Sequence, residues 1–190
     1  MTETAAVNRK RHYDGFSLVE ANLAILVIFI IAGAALINSA GILPGMRANT
    51  AMHQMVAQLR NGREIAMAQR RNVDIVFLGD NQIRLVRRDM PSGTTELSTV
   101  TLEGRMEFQL VDGLPDTPDS FGNGSALDFS GAASLTYLSD GTLVDGEGNP
   151  VNGSVFMGQP GHPETARAVT ILGATGRVRG YRWTGTSWIQ

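Results

Sequence analysis

A chain of 190 residues with a net charge of −2 and no cysteine holds one ordinary domain beside an apolar N-terminal segment, which leaves roughly 145 residues for the folded part. The absent thiols exclude a disulfide framework and a thiolate metal site, so stability rests on an ordinary core. The protein as a whole is not basic, but its charge is uneven: the span between Arg105 and Arg167 carries acids and no lysine or arginine, and the tail reverses sign with Arg167, Arg177, Arg179 and Arg182.

In chain order, the stretch "RKRHYDGFSLVEANLAILVIFIIAGAALI", Arg9 to Ile37, comes first. No ionisable side chain lies between Ala21 and Met46. At about 1.5 Å per residue a helix over 16–43 is long enough for a hydrocarbon core of about 30 Å, which predicts a transmembrane helix there. The apolar run is too long for a cleaved secretory signal. Arg9, Lys10 and Arg11 precede it and Arg47 follows it, so the positive-inside bias predicts a single-pass topology with a cytoplasmic N-terminus and the domain across the membrane.

Glu20 is the one acid in this region, and a carboxylate within a membrane helix is costly. Two readings stand: a boundary residue reaching the interface, or a charge with a partner. Cleavage just before Phe16 would create a terminal amine one turn away, and pairing between neighbouring chains would fix their stagger.

"GFSLVE", Gly15 to Glu20, with its basic leader and long apolar run, resembles the prepilin processing site of type IV pilins and type II secretion pseudopilins. The resemblance implies cleavage between Gly15 and Phe16 by a prepilin peptidase, N-methylation of Phe16, and pairing of Glu20 with the N-terminal amine of an adjacent subunit during filament assembly. It also implies an inner-membrane subunit with a periplasmic domain.

Pro44 within "GILPGM" predicts a kink or short break. The helix then resumes over 44–71, where Met52, Met55, Val56, Leu59 and Ala66 recur at spacings of three and four and form an apolar stripe. Arg60, Arg63, Arg70 and Arg71 fall on other faces. Beyond Asn72 the period becomes two. "VDIVFLGDNQIRLVRR" predicts a hairpin of strands 73–78 and 82–88. Further strands are predicted at 96–102, 105–111, 126–129, 134–138, 154–157, 168–172 and 177–183, giving a β-rich domain over 72–190.

"LRNGREIAMAQRRNVDIVF" and, much later, "VTILGATGRVRGYRW" are similar to the GspH/FimT family of minor pseudopilins and minor pilins. The fold this implies is α+β and type IV pilin-like: a long N-terminal helix, half membrane and half amphipathic, packed on antiparallel β-sheets. With no cysteine, the C-terminal disulfide loop of many major pilins cannot form.

Nothing in the sequence points to catalysis or to a cofactor. His12, His53 and His162 have no metal-ligand spacing, and "GATGRV" lacks the Lys-Ser/Thr of a phosphate loop. The acids of "DGTLVDGEGN" read as solvated turns, since their spacing departs from the EF-hand pattern.

Alternation along 177–183 places Arg177, Arg179, Tyr181 and Trp183 on one face and Val178, Gly180 and Arg182 on the other. Arginines beside aromatic rings can bind single-stranded nucleic acid or stack on one another across a sheet. "GRVR", Gly176 to Arg179, resembles the Gly-Arg-x-Arg motif of DNA-binding FimT-like minor pilins, which makes Arg177, Arg179 and Arg182 DNA-binding candidates. The reading reached is a minor pseudopilin of a type II secretion pseudopilus. Its partners are prepilin peptidase, other pseudopilins or pilins, an inner-membrane assembly platform and the membrane through 16–43. The alternatives are a DNA-binding type IV minor pilin and a surface-binding domain with an uncleaved anchor.

Overall fold

The computed structural model describes residues 17–190, with the side chains of 34–42 outside the description. The chain forms two compact units divided after Gly41. Helix α1 spans Leu18–Gln69. Ser17 opens it: the Ser17 hydroxyl accepts the Val19 amide at 3.3 Å, and its carbonyl accepts the Ala21 amide at 3.0 Å. Glu20 lies exposed in the first turn, where a carboxylate complements the unpaired amides of a helix start.

Two expectations about this helix are corrected. Of the kink or short break expected at Pro44 the break is absent, because the turns that follow bury Ala48, Ala51, Met52, Met55 and Leu59, and that burial offsets one lost hydrogen bond. The second correction concerns the membrane. Among the described residues no helix is long and apolar enough to cross a membrane, so the half-membrane helix over 16–43 and the single-pass inner-membrane localisation built on it do not stand. The physical reason is in the composition. The strongly apolar stretch "LAILVIFIIA" follows Glu20 and Asn22 and gives way to "GAALINSAG", where Leu36 and Ile37 stand among small and polar residues. Its ten residues rise about 15 Å as a helix, half of a hydrocarbon core of about 30 Å.

The helix ends one turn before the sheets begin. Arg70 takes a left-handed φ of 50°, while the Arg70 amide reaches the Met67 carbonyl and the Arg71 amide the Ala66 carbonyl at 3.1 Å. That pair of bonds is a Schellman stop, with arginine where glycine is usual.

Ten strands follow: β1 (Val73–Leu78), β2 (Gln82–Arg88), β3 (Thr94–Thr101), β4 (Leu127–Asp128), β5 (Leu135–Tyr137), β6 (Leu143–Val144), β7 (Gly153–Gln159), β8 (His162–Leu172), β9 (Arg177–Trp183) and β10 (Trp188–Ile189). They make two antiparallel sheets, ordered β3-β2-β1-β5-β6 and β10-β9-β8-β7-β4. The main core joins Met55 and Leu59 of α1 to Ile83 and Leu85 of the first sheet and to Val155, Val169, Ile171 and Val178 of the second. Val178 and Gly180 of β9 therefore face the helix. A Cβ on Gly180 would stand 3.1 Å from the Met52 sulfur.

The opposite face of the second sheet carries a smaller core. Phe156, Ala168, Tyr181 and Trp188 are buried there beneath Leu110, Val111 and Leu114. The segment 105–111, expected as a strand, makes only an isolated bridge, Glu107 to Gly158, as it crosses this face. Leu110 and Val111 cover the sheet here, while Met106 and Phe108 pack in the main core.

Candidate functional site

The basic tail is built on β8 and β9, with Thr170 directly opposite Arg179 and Ala168 opposite Tyr181. Alternation holds as the sequence predicts, so Arg179 and Tyr181 share the outer face. What the sequence does not announce is Asp119, from the loop that crosses that face. Arg179 Nη1 donates to Asp119 Oδ1 at 2.6 Å, while the Thr170 and Tyr181 hydroxyls donate to Oδ2 at 2.6 and 2.8 Å. The Asp119 side chain is 10% exposed and that of Arg179 33%. Burial pushes the Asp119 carboxyl up, but the Thr170 and Tyr181 hydrogen bonds and the Arg179 charge outweigh it and hold the group below its ordinary value.

The loop itself is pre-folded. Asp116 accepts the Gly122 amide at 2.9 Å, Asn123 donates to the Leu114 carbonyl at 3.1 Å, and the Trp188 indole donates to the Pro115 carbonyl at 2.8 Å. Trp183 and Trp188 meet edge to face at 5.3 Å between centroids. The aromatic residues of the tail are engaged with one another and with the loop.

Arg177 lies at the start of β9, exposed, and is in no ion pair among the described residues. Gly176, the first residue of "GRVR", has a left-handed φ of 62°, and a Cβ there would stand 2.3 Å from the Gly141 carbonyl oxygen. A backbone role thus accounts for this glycine. Arg182 is exposed on the helix-facing side, directly across from Arg167 of β8. The three candidate arginines are therefore split: Arg179 on the outer face, paired; Arg182 on the inner; Arg177 at the strand's end.

Arg167 is 2% exposed and faces no acid. Its guanidinium donates to Asn49 Oδ1 at 2.9 Å and to the carbonyls of Ala166 at 2.8 Å, Glu164 at 3.2 Å and Gly45 at 3.2 Å. Burial, together with the nearby Arg182 charge, lowers its pKa to about 10. It ties β8 to the first turns of α1 after Pro44.

Gly15 and Phe16, the expected cleavage and methylation positions, lie outside the described residues. Glu20 is exposed, as are Leu18, Val19, Leu23 and Phe29 beside it. In the acidic turn, the Asp140 carboxylate accepts the Thr142 amide and the Asp145 carboxylate the amides of Glu147 and Asn149, each at 2.9 Å. These carboxylates shape turns. Among the described residues no cluster of three histidine or acidic side chains could hold a metal ion.

No protein-family model matches this chain, and no curated protein does. Solved structures do resemble it. The type IV minor pilin FimU of Pseudomonas aeruginosa is 18% identical with a TM-score of 0.50, over 75% of this chain and 92% of FimU. The minor pseudopilin EpsH from the type 2 secretion system of Vibrio cholerae is 12% identical with a TM-score of 0.48, over 72% of this chain and 97% of EpsH. The chain is similar in fold to the minor pilin FimU, in agreement with the family resemblance that its sequence carries.

Proposed function

We propose that this chain is a minor subunit of a pilus-like filament, in the first place a type II secretion pseudopilus. The observation that carries the reading is helix α1: its first turns leave Leu18, Val19, Leu23, Ile28 and Phe29 exposed directly after a prepilin-like "GFSLVE". An apolar helix of this kind needs partners, and helices of neighbouring subunits supply the same surface. In this reading a prepilin peptidase cuts between Gly15 and Phe16, Phe16 is methylated, and the assembly platform adds the subunit to the filament. Glu20 and the new amine of an adjacent subunit set the stagger.

The same protein expressed with a prepilin peptidase tests this by mass spectrometry. A mature chain beginning at methylated Phe16 supports the reading. An intact leader in the presence of active peptidase overturns it and favours a surface domain with an uncleaved N-terminus. Glu20→Ala should be cut normally yet fail to enter filaments.

DNA binding through Arg177 and Arg179 stands second. The Asp119 carboxylate on Arg179 and the burial of Tyr181 speak against it, since a single-strand platform needs free guanidinium groups and exposed rings. Its test is retention of single-stranded DNA that Arg177→Ala/Arg179→Ala abolishes with a reduced salt slope.

A further inference from the structure

Helix α1 and the turn between β8 and β9 border an open cleft of about 520 Å³ whose lining includes Arg60, Arg63, Glu64, Thr175, Gly176 and Arg177. Three arginines and one glutamate line it, and none of the three arginines is in an ion pair among the described residues. Two of them are held in place by backbone. Arg60 Nη2 donates to the Val178 carbonyl at 3.1 Å, and Arg63 Nε donates to the Gly141 carbonyl at 3.3 Å. A guanidinium has five N–H donors, so each retains several for a ligand while its position is fixed in advance. The closeness of Gly176 to Gly141 lets the turn sit against the Arg63 side chain, where a Cβ would come within 2.7 Å of Arg63 Nε.

We propose that this cleft docks a carboxylate-bearing segment of a partner protein, its Asp or Glu side chains received by Arg60, Arg63 and Arg177. The proposal goes beyond the filament reading and does not rest on it. Fork-shaped guanidinium groups match planar carboxylates in bidentate geometry. Two features favour an acidic peptide over a nucleic acid. The next arginine along β9, Arg179, is already neutralised by Asp119, so it adds no free guanidinium beside Arg177. No aromatic side chain lines it, which removes the stacking on which single-strand binding depends.

The test uses the full-length protein and two fluorescent probes, a short polyglutamate peptide and a short oligothymidylate, compared by anisotropy at matched salt. The peptide should bind saturably and the oligonucleotide more weakly. Arg60→Gln/Arg177→Glu should weaken the peptide about ten-fold, and Arg177→Glu alone, at an exposed side chain, should weaken it without altering thermal unfolding. Glu64→Gln should tighten it, and Arg182→Gln, outside the cleft, should leave it unchanged. Absence of saturable peptide binding, equal loss in Arg182→Gln, or no gain in Glu64→Gln overturns the proposal. Tighter binding of the oligonucleotide, lost in Arg177→Glu, overturns it in favour of a nucleic-acid site.

Discussion

Asp119 and Arg179 stand 60 residues apart in the chain and 2.6 Å apart in space, joining the loop over the second sheet to β9. The same carboxylate also accepts Thr170 and Tyr181. Removing it leaves the buried Thr170 and Tyr181 hydroxyls without their acceptor and the partly exposed Arg179 without its counter-ion. Asp119→Ala should destabilise the domain by about 2–4 kcal/mol, since bonds to a charged group are worth more than neutral ones. Denaturant unfolding measures the loss. Limited proteolysis should cut first within 112–123, and unchanged stability would show that the loop is held by Trp188 and its apolar contacts instead.

The pH dependence of that contact has a definite sign. The Asp119 carboxyl lies below its ordinary value in the fold, so its contribution is fully present above the unfolded value of about 3.9 and is lost as pH falls through the folded one. Wild-type stability should therefore decline below about pH 4 more steeply than that of Asp119→Asn. Parallel pH profiles for the two proteins would contradict this.

Arg167 is buried without a counter-ion and is satisfied by one amide side chain and three carbonyls. Arg167→Ala removes that fork and should cost about 2–4 kcal/mol. Arg167→Lys should recover less than half of the loss, because an ammonium cannot reach acceptors spread around a planar guanidinium. Full recovery by lysine would mean that charge, and not the fork, matters.

Arg70 holds a left-handed conformation at the end of α1. Glycine adopts that conformation without a Cβ clash, so Arg70→Gly should raise stability by about 0.5–1 kcal/mol although no contact is added. A thermal melt decides this, and a lower melting temperature would show that the arginine side chain contributes more than its backbone costs.

Gly153 marks the opposite case. A Cβ there would lie 2.0 Å from the Phe129 ring. Gly153→Ala should cost about 1–3 kcal/mol through overpacking, and combining it with Phe129→Leu should cost less than the sum of the two single changes, which a double-mutant cycle would reveal.

Much of the architecture was legible because it is written in local periods. The bounds of β1, β2 and β9 coincide with the predicted segments, since alternating side chains there fill one core face. The amphipathic stripe of Met52, Met55, Leu59 and Ala66 gives the buried face of α1. β6 and β10, of two residues each, are too short to establish a period. Segment 105–111 has a strand-like composition, yet its apolar residues are divided between the main core, Met106 and Phe108, and the outer face of the second sheet, Leu110 and Val111.

The chemistry of the tail was not legible in the same way. The sequence by itself determined that Arg179 and Arg182 take opposite faces of β9, because alternation is a property of the strand. Only the tertiary structure decided that Arg179 is neutralised, that Arg167 is buried, and that Arg60, Arg63 and Arg177 meet at one cleft. Those outcomes depend on contacts between residues that stand 60 to 118 apart in the chain, Asp119 with Arg179 and Arg60 with Val178. No local pattern encodes such contacts, since they are selected by how the loop and the helix pack on the finished sheet.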